Sequence, residues 1–122
     1  MNLGIVINTN EAELAWNAYR LANFVLKEGD KVKVFLFGRG VESEVEHPKY
    51  NVKEQVRTFL SNGGEVYACG TCMNARQMDS KDTCPLSSMS DLYKIIKESD
   101  KVLTFGWFLI INFFPHPLEI AE

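Results

Sequence analysis

A chain of 122 residues with 46% hydrophobic composition has room for one domain and enough apolar side chains to fill one core. Its 13 basic and 16 acidic residues give a formal net charge of −3, and the basic ones are scattered, which argues against a nucleic-acid partner. The longest apolar stretch, Val102 to Phe114, is broken by Thr104, Gly106 and Asn112 and falls short of the roughly 20 residues a membrane span needs, so no membrane partner is expected.

Leu3 to Ile7 is a short, β-branched apolar run that reads as a buried strand. Asn10 then offers an N-cap with Glu13 three residues on. Leu14, Ala18, Leu21, Ala22 and Val25 repeat at helical spacing as far as Gly29, which predicts the first helix. Its aromatics Trp16, Tyr19 and Phe24 fit core or subunit contacts. Lys31 to Phe37 predicts a second strand, ended by Gly38-Arg39-Gly40, and the polar segment on to Tyr50 reads as a mobile loop. Asn51 caps a second helix with Val52, Val56, Phe59 and Leu60 on one face, stopped by Gly63-Gly64.

Glu65 to Cys69 is the third strand. Gly70 to Met78 has the length of a short helix, and a polar loop continues through Thr83. Ser88 and Asp91 form a capping pair for a helix whose buried stripe is Leu92, Ile95 and Ile96, ending near Asp100. Lys101 to Phe105 closes the series as a strand. Strands alternating with helices predict one three-layer α/β/α domain over 1–105, with a mainly parallel sheet of four or five strands. Residues 106–122 form an apolar C-terminal extension, expected to pack on the domain or in an oligomer interface.

In parallel sheets, chemistry gathers where strands end and helices begin. Cys69 closes the third strand, Gly70 lets the backbone turn into the site, and Cys72 follows at CxxC spacing. A thiol at the start of a helix lies near unpaired backbone N–H groups, which favour thiolate, the nucleophilic form. Cys84 falls near a short strand expected around Leu86, which makes a three-thiol cluster compatible with the spacing. Three cysteines are a poor basis for a disulfide framework, and with no export signal at Met1 a reducing, cytoplasmic location is the expectation. Three thiols and a distant histidine make a weak zinc set, so no metal is expected. His47 reads as solvated and His116 as part of the tail, and Gly38-Arg39-Gly40 fits a turn better than an anion cradle.

Taken together, three segments resemble the DsrE/DsrF-like sulfur-relay family over about Leu3 to Phe105. They are the opening LGIVINTNEAELAWNAYRLANFVLKEGDKVKVFLFGRGV, the central NVKEQVRTFLSNGGEVYACGTCMNAR and the closing CPLSSMSDLYKIIKESDKVLTF. The resemblance places Cys69 where catalytic members carry the sulfur-bearing cysteine and Arg76 at a spacing where the family often has arginine. It implies an intracellular persulfide carrier that needs no cofactor, takes sulfane sulfur from a donor protein, exposes it on Cys69 to an acceptor protein, and assembles as a trimer or hexamer. Cys72 is not a general feature of the family. It could resolve a Cys69 persulfide, releasing sulfide, which leaves open a dithiol–disulfide oxidoreductase using Cys69 and Cys72. A non-catalytic scaffold subunit or binding module of a sulfur-relay complex is the reading from another class.

Overall fold

Five strands form one sheet in the order β4-β3-β2-β1-β5, namely β1 (Asn2–Ile7), β2 (Lys31–Leu36), β3 (Glu65–Cys69), β4 (Leu86–Ser87) and β5 (Lys101–Phe105). The computed structural model describes residues 1–78 and 86–106. Every pairing is parallel, so the mainly parallel sheet of four or five strands is an all-parallel sheet of five. The register sets Ile5 between Val34 and Leu103, and pairs Cys69 with Ser87 on the short edge strand.

Alternation along each strand divides the core between two layers, because successive side chains point to opposite faces. Val34, Leu36, Val66 and Ala68 join the cluster built by α1 (Ala12–Lys27) and α2 (Val52–Ser61). Within it Tyr19 meets Phe59 edge-on, with ring centroids 5.8 Å apart. Phe35 and Cys69 face the other way and pack with Ile95 of α4 (Met89–Glu98). A short helix, α3 (Gly70–Ala75), follows β3 directly, and a 3-10 turn (Gly38–Glu42) follows β2.

The helix ends obey local capping chemistry. Asn51 accepts the Glu54 N–H at 3.2 Å, as its spacing predicts. Ser88 and Asp91 close a reciprocal capping box on α4, and the two Ser88 hydrogen bonds, backbone and side chain, hold the Asp91 carboxyl below its ordinary pKa. The first helix is capped one residue later than Asn10, by Glu11, whose carboxylate accepts the Glu13 N–H at 2.6 Å. Its buried stripe is Ala15, Ala18, Tyr19, Ala22 and Val25, flanked by the half-buried Leu14 and Leu21. Trp16 is half-buried against Tyr50 at 5.3 Å between centroids and carries the Arg20 guanidinium on its ring, whereas Phe24 is exposed.

Helix α4 departs further from expectation. Ile95 is its one fully buried residue, while Ile96 is 49% exposed, alongside Met89 at 53% and Tyr93 at 61%. The helix seats itself on Phe35 and Cys69 through Ile95, and the next residue lies about 100° further round the axis. From Trp107 onward the C-terminal extension lies outside the described residues, as does the polar loop of 79–85. No helix among the described residues is long and apolar enough to cross a membrane.

The 3-10 turn is held against the end of β1 by a close backbone approach. Phe37 N–H bonds the Ile7 carbonyl at 2.9 Å, and a Cβ on Gly40 would stand 1.8 Å from that carbonyl oxygen. Only glycine fits there. Gly40→Ala is therefore expected to cost roughly 1–3 kcal/mol of stability, the range for overpacking. Urea denaturation measures it, and an unchanged midpoint with unchanged slope would contradict the steric reading.

Candidate functional site

Cys69 has two structural roles. It is the last residue of β3 and the N-cap of α3, with extended backbone angles (φ −59°, ψ 117°) and a sulfur that accepts the Cys72 N–H at 3.5 Å. An N-cap side chain ordinarily satisfies one of the unpaired amides of the first turn, and here a thiol does so. The residue is 2% exposed, packed against Phe35 and Ile95 with Phe37, Tyr67 and Leu92 around them. The Cys69 sulfur is therefore held out of solvent in this structure. The side chain faces the layer closed by α4, because strand alternation aims it there.

Cys72, one turn further on, is half-buried, touches both core clusters and donates its backbone N–H to the Cys69 sulfur. Its sulfur accepts the Gly38 N–H at 3.2 Å. The Gly38-Arg39-Gly40 turn therefore supplies a backbone donor to a thiol rather than a cradle for an anion. Arg76 completes the connection between α3 and the turn. Its Nε donates to Glu42 Oε1 at 3.0 Å and its other arm to the Cys72 carbonyl at 3.1 Å. Gly70 opens α3 close to the edge strand, where a Cβ would stand 3.3 Å from the Ser87 carbonyl oxygen.

The structure brings together Cys69, Cys72, Gly70 and Arg76. Cys84 lies outside the described residues, as does His116. His47 is exposed and stacked on Tyr50, and its Nδ1 accepts the backbone N–H groups of Lys49 and Tyr50, both at 3.0 Å, a local turn contact. Sequence reasoning missed Gly38 and Glu42 as site neighbours. The signal is the strand order, since the turn after β2 lies beside the helix after β3 once those strands are adjacent. Among the described residues no group of three His, Cys, Asp or Glu side chains is placed to hold a metal.

Burial pushes the Cys72 thiol above its ordinary pKa, and the hydrogen bond to Cys69 pushes the same way. The Gly38 N–H and the Arg76 charge oppose them. Thiolate is the reactive form, so alkylation of Cys72 by iodoacetamide should keep accelerating past about pH 9. Peptide mass spectrometry over a pH series measures this, and a plateau reached below about pH 8 would contradict it.

The fold has counterparts among known proteins. At the level of fold, the chain superposes on the YchN protein from E. coli with a TM-score of 0.72 and 21% identity, covering 86% of this chain and all of that one. It superposes on a protein of unknown function from Methanobacterium thermoautotrophicum with a TM-score of 0.68 and 12% identity, covering 84% of this chain and 97% of that one. At the level of sequence, an uncharacterized protein of Methanopyrus kandleri is 37% identical over 102 residues, which is 76% of this chain and 83% of that protein. One from Methanocaldococcus jannaschii is 35% identical over 102 residues, again 76% of this chain and 88% of the relative. The DsrE/DsrF-like family model matches residues 1–105, which takes in every strand and helix described above, and the chain belongs to that family.

Proposed function

We propose that this protein is a sulfur-relay carrier that holds sulfane sulfur as a persulfide on Cys69 and passes it to a partner thiol. The observation that carries the reading is the Cys69 thiol itself, at the end of β3, buried and accepting the backbone N–H of a second cysteine at 3.5 Å. Sulfur relay is the general role of the DsrE/DsrF-like family, and the position of Cys69 in the family's order of elements supports the assignment.

The chemistry balances without a cofactor or an external oxidant. A thiolate attacks the outer sulfur of a donor persulfide, the donor's S–S bond breaks, and the donor leaves as a thiolate. An acceptor thiolate later attacks the outer sulfur of the Cys69 persulfide in the same way. Burial suits the holding step, because a persulfide open to water-borne thiols is discharged by the first one it meets. Such exchange needs donor and acceptor proteins and a reducing, cytoplasmic setting, which belong to the same proposal.

The first test loads wild-type protein with a low-molecular-weight persulfide, washes it briefly with a small thiol, and adds an acceptor thiol protein. Fragment-ion mass spectrometry should place one reductant-labile sulfur on Cys69. Cys69→Ser, left with the half-exposed Cys72, should keep and deliver roughly ten-fold less after the wash. A Cys69→Ser protein that delivers as much as the wild type would sink the carrier reading.

The packing of Cys72 against the Cys69 cluster, with its N–H on the Cys69 sulfur, favours a second reading, a dithiol–disulfide oxidoreductase. Wild type that loses two hydrogens without gaining sulfur would select it. Thiols unreactive in every assay would leave the scaffold role.

A homo-oligomer belongs to the proposal as well. Met89, Tyr93 and Ile96 stand at i, i+4 and i+7 on α4, a helical stripe of exposed apolar surface that a second copy would cover. Light scattering coupled to size exclusion should report a trimer or hexamer, and a monomer at working concentration would refute this part.

A further inference from the structure

Resting on the carrier reading, we propose that Cys72 is the port of the site, the thiol that meets the donor persulfide and hands its outer sulfur inward to Cys69. The difference in burial carries the assignment. Cys69 is 2% exposed and packed against Phe35 and Ile95, which presents little surface to the sulfur of a docked protein. Cys72 is half-buried, and its backbone N–H donates to the Cys69 sulfur at 3.5 Å. Among the described residues, Cys72 is the partly exposed thiol next to Cys69.

The transfer takes two thiol–persulfide exchanges. The Cys72 thiolate attacks the outer sulfur of the donor R–S–S–H. That S–S bond breaks, R–S⁻ departs, and Cys72 carries the persulfide. Cys69 sulfur then attacks the outer sulfur of the Cys72 persulfide, the Cys72 Sγ–S bond breaks, and a Cys69 persulfide forms. Cys72 leaves as thiolate and takes up the proton that Cys69 gives up. One sulfur has moved from donor to Cys69, the donor is left as a thiol, Cys72 is regenerated, and no electrons are gained or lost overall.

Backbone donors are positioned for both ends of the second exchange. The Gly38 N–H at 3.2 Å from Cys72 Sγ stabilises the negative charge that grows there as the bond breaks. The Cys72 N–H at 3.5 Å from Cys69 Sγ holds the attacking sulfur toward its partner. The turn of Gly38–Glu42 is kept in place by the Arg76–Glu42 ion pair at 3.0 Å. The outward trip to an acceptor follows the same two steps in reverse, so one exposed thiol serves both directions.

The test compares loading rates of Cys69 in wild type and Cys72→Ser under the same low-molecular-weight persulfide, read by fragment ions that separate the two residues. Wild type should load Cys69, and Cys72→Ser should load it roughly ten-fold more slowly or not at all. Cys69→Ser should still accept sulfur on Cys72 before any thiol wash. Equal loading of Cys69 in wild type and Cys72→Ser would overturn the port while leaving the carrier reading intact. A wild type that never loads would overturn both.

Far-UV circular dichroism checks that Cys72→Ser is folded, and a second measurement needs no variant. Limiting iodoacetamide on the wild type should alkylate Cys72 before Cys69. Alkylation of Cys69 first would overturn the proposal.

Discussion

Strand β3 runs into helix α3 with no residue between them, and the site depends on that junction. A strand end and a helix start impose different backbone angles, so the shared residue must be extended and must also offer an acceptor to the first helical turn. Cys69 meets both demands with its backbone angles and its sulfur. The consequence is rigid placement. Cys69 inherits the inward direction of its strand position, and Cys72 inherits the direction set by one turn of helix. The two cysteines are brought together, Cys72 N–H on Cys69 sulfur, by the junction itself.

The neighbouring strand supplies the remaining constraint. Pairing of β2 with β3 carries the Gly38–Glu42 turn alongside α3, and the close fit of Gly40 on the Ile7 carbonyl fixes its height. From there Gly38 N–H reaches Cys72, and Glu42 reaches Arg76. The turn is therefore tied to α3 at both of its ends. A six-residue helix has too little internal hydrogen bonding to be stable alone. Tertiary contacts such as these, with Met73 fully buried beneath it, hold α3 in place.

Much of this was legible in the residues. Strands one, three and five were readable from short apolar runs, and β3 and β5 begin and end where those runs do, because β-branched and aromatic residues stop at charged or glycine boundaries. The Asn51 and Ser88 caps were readable because capping is local chemistry. What failed was nonlocal. Ile96 sits at helical spacing with Leu92, yet which residues of a stripe are covered depends on the width of what lies beneath, and α4 rests on a narrow ridge of Phe35 and Cys69. The approach of Gly38 to Cys72 needed the strand order, which periodicity does not contain. The direction in which Cys69 faces needed to be known before its exposure could be read.

That direction also bears on which chemistry a thiol pair performs. A persulfide on either residue has two sulfurs open to attack by the other. Attack on the outer sulfur moves it along, whereas attack on the inner sulfur forms a disulfide and expels hydrosulfide. Leaving-group stability biases the choice, since the better-stabilised thiolate departs faster. Were sulfur to sit on Cys72, the Gly38 N–H would stabilise Cys72 as the leaving group, while the burial that raises its pKa would oppose its departure. On the carrier reading, the Gly38 N–H and the Arg76 charge would favour relay inward, and the burial that raises the Cys72 pKa would work against it.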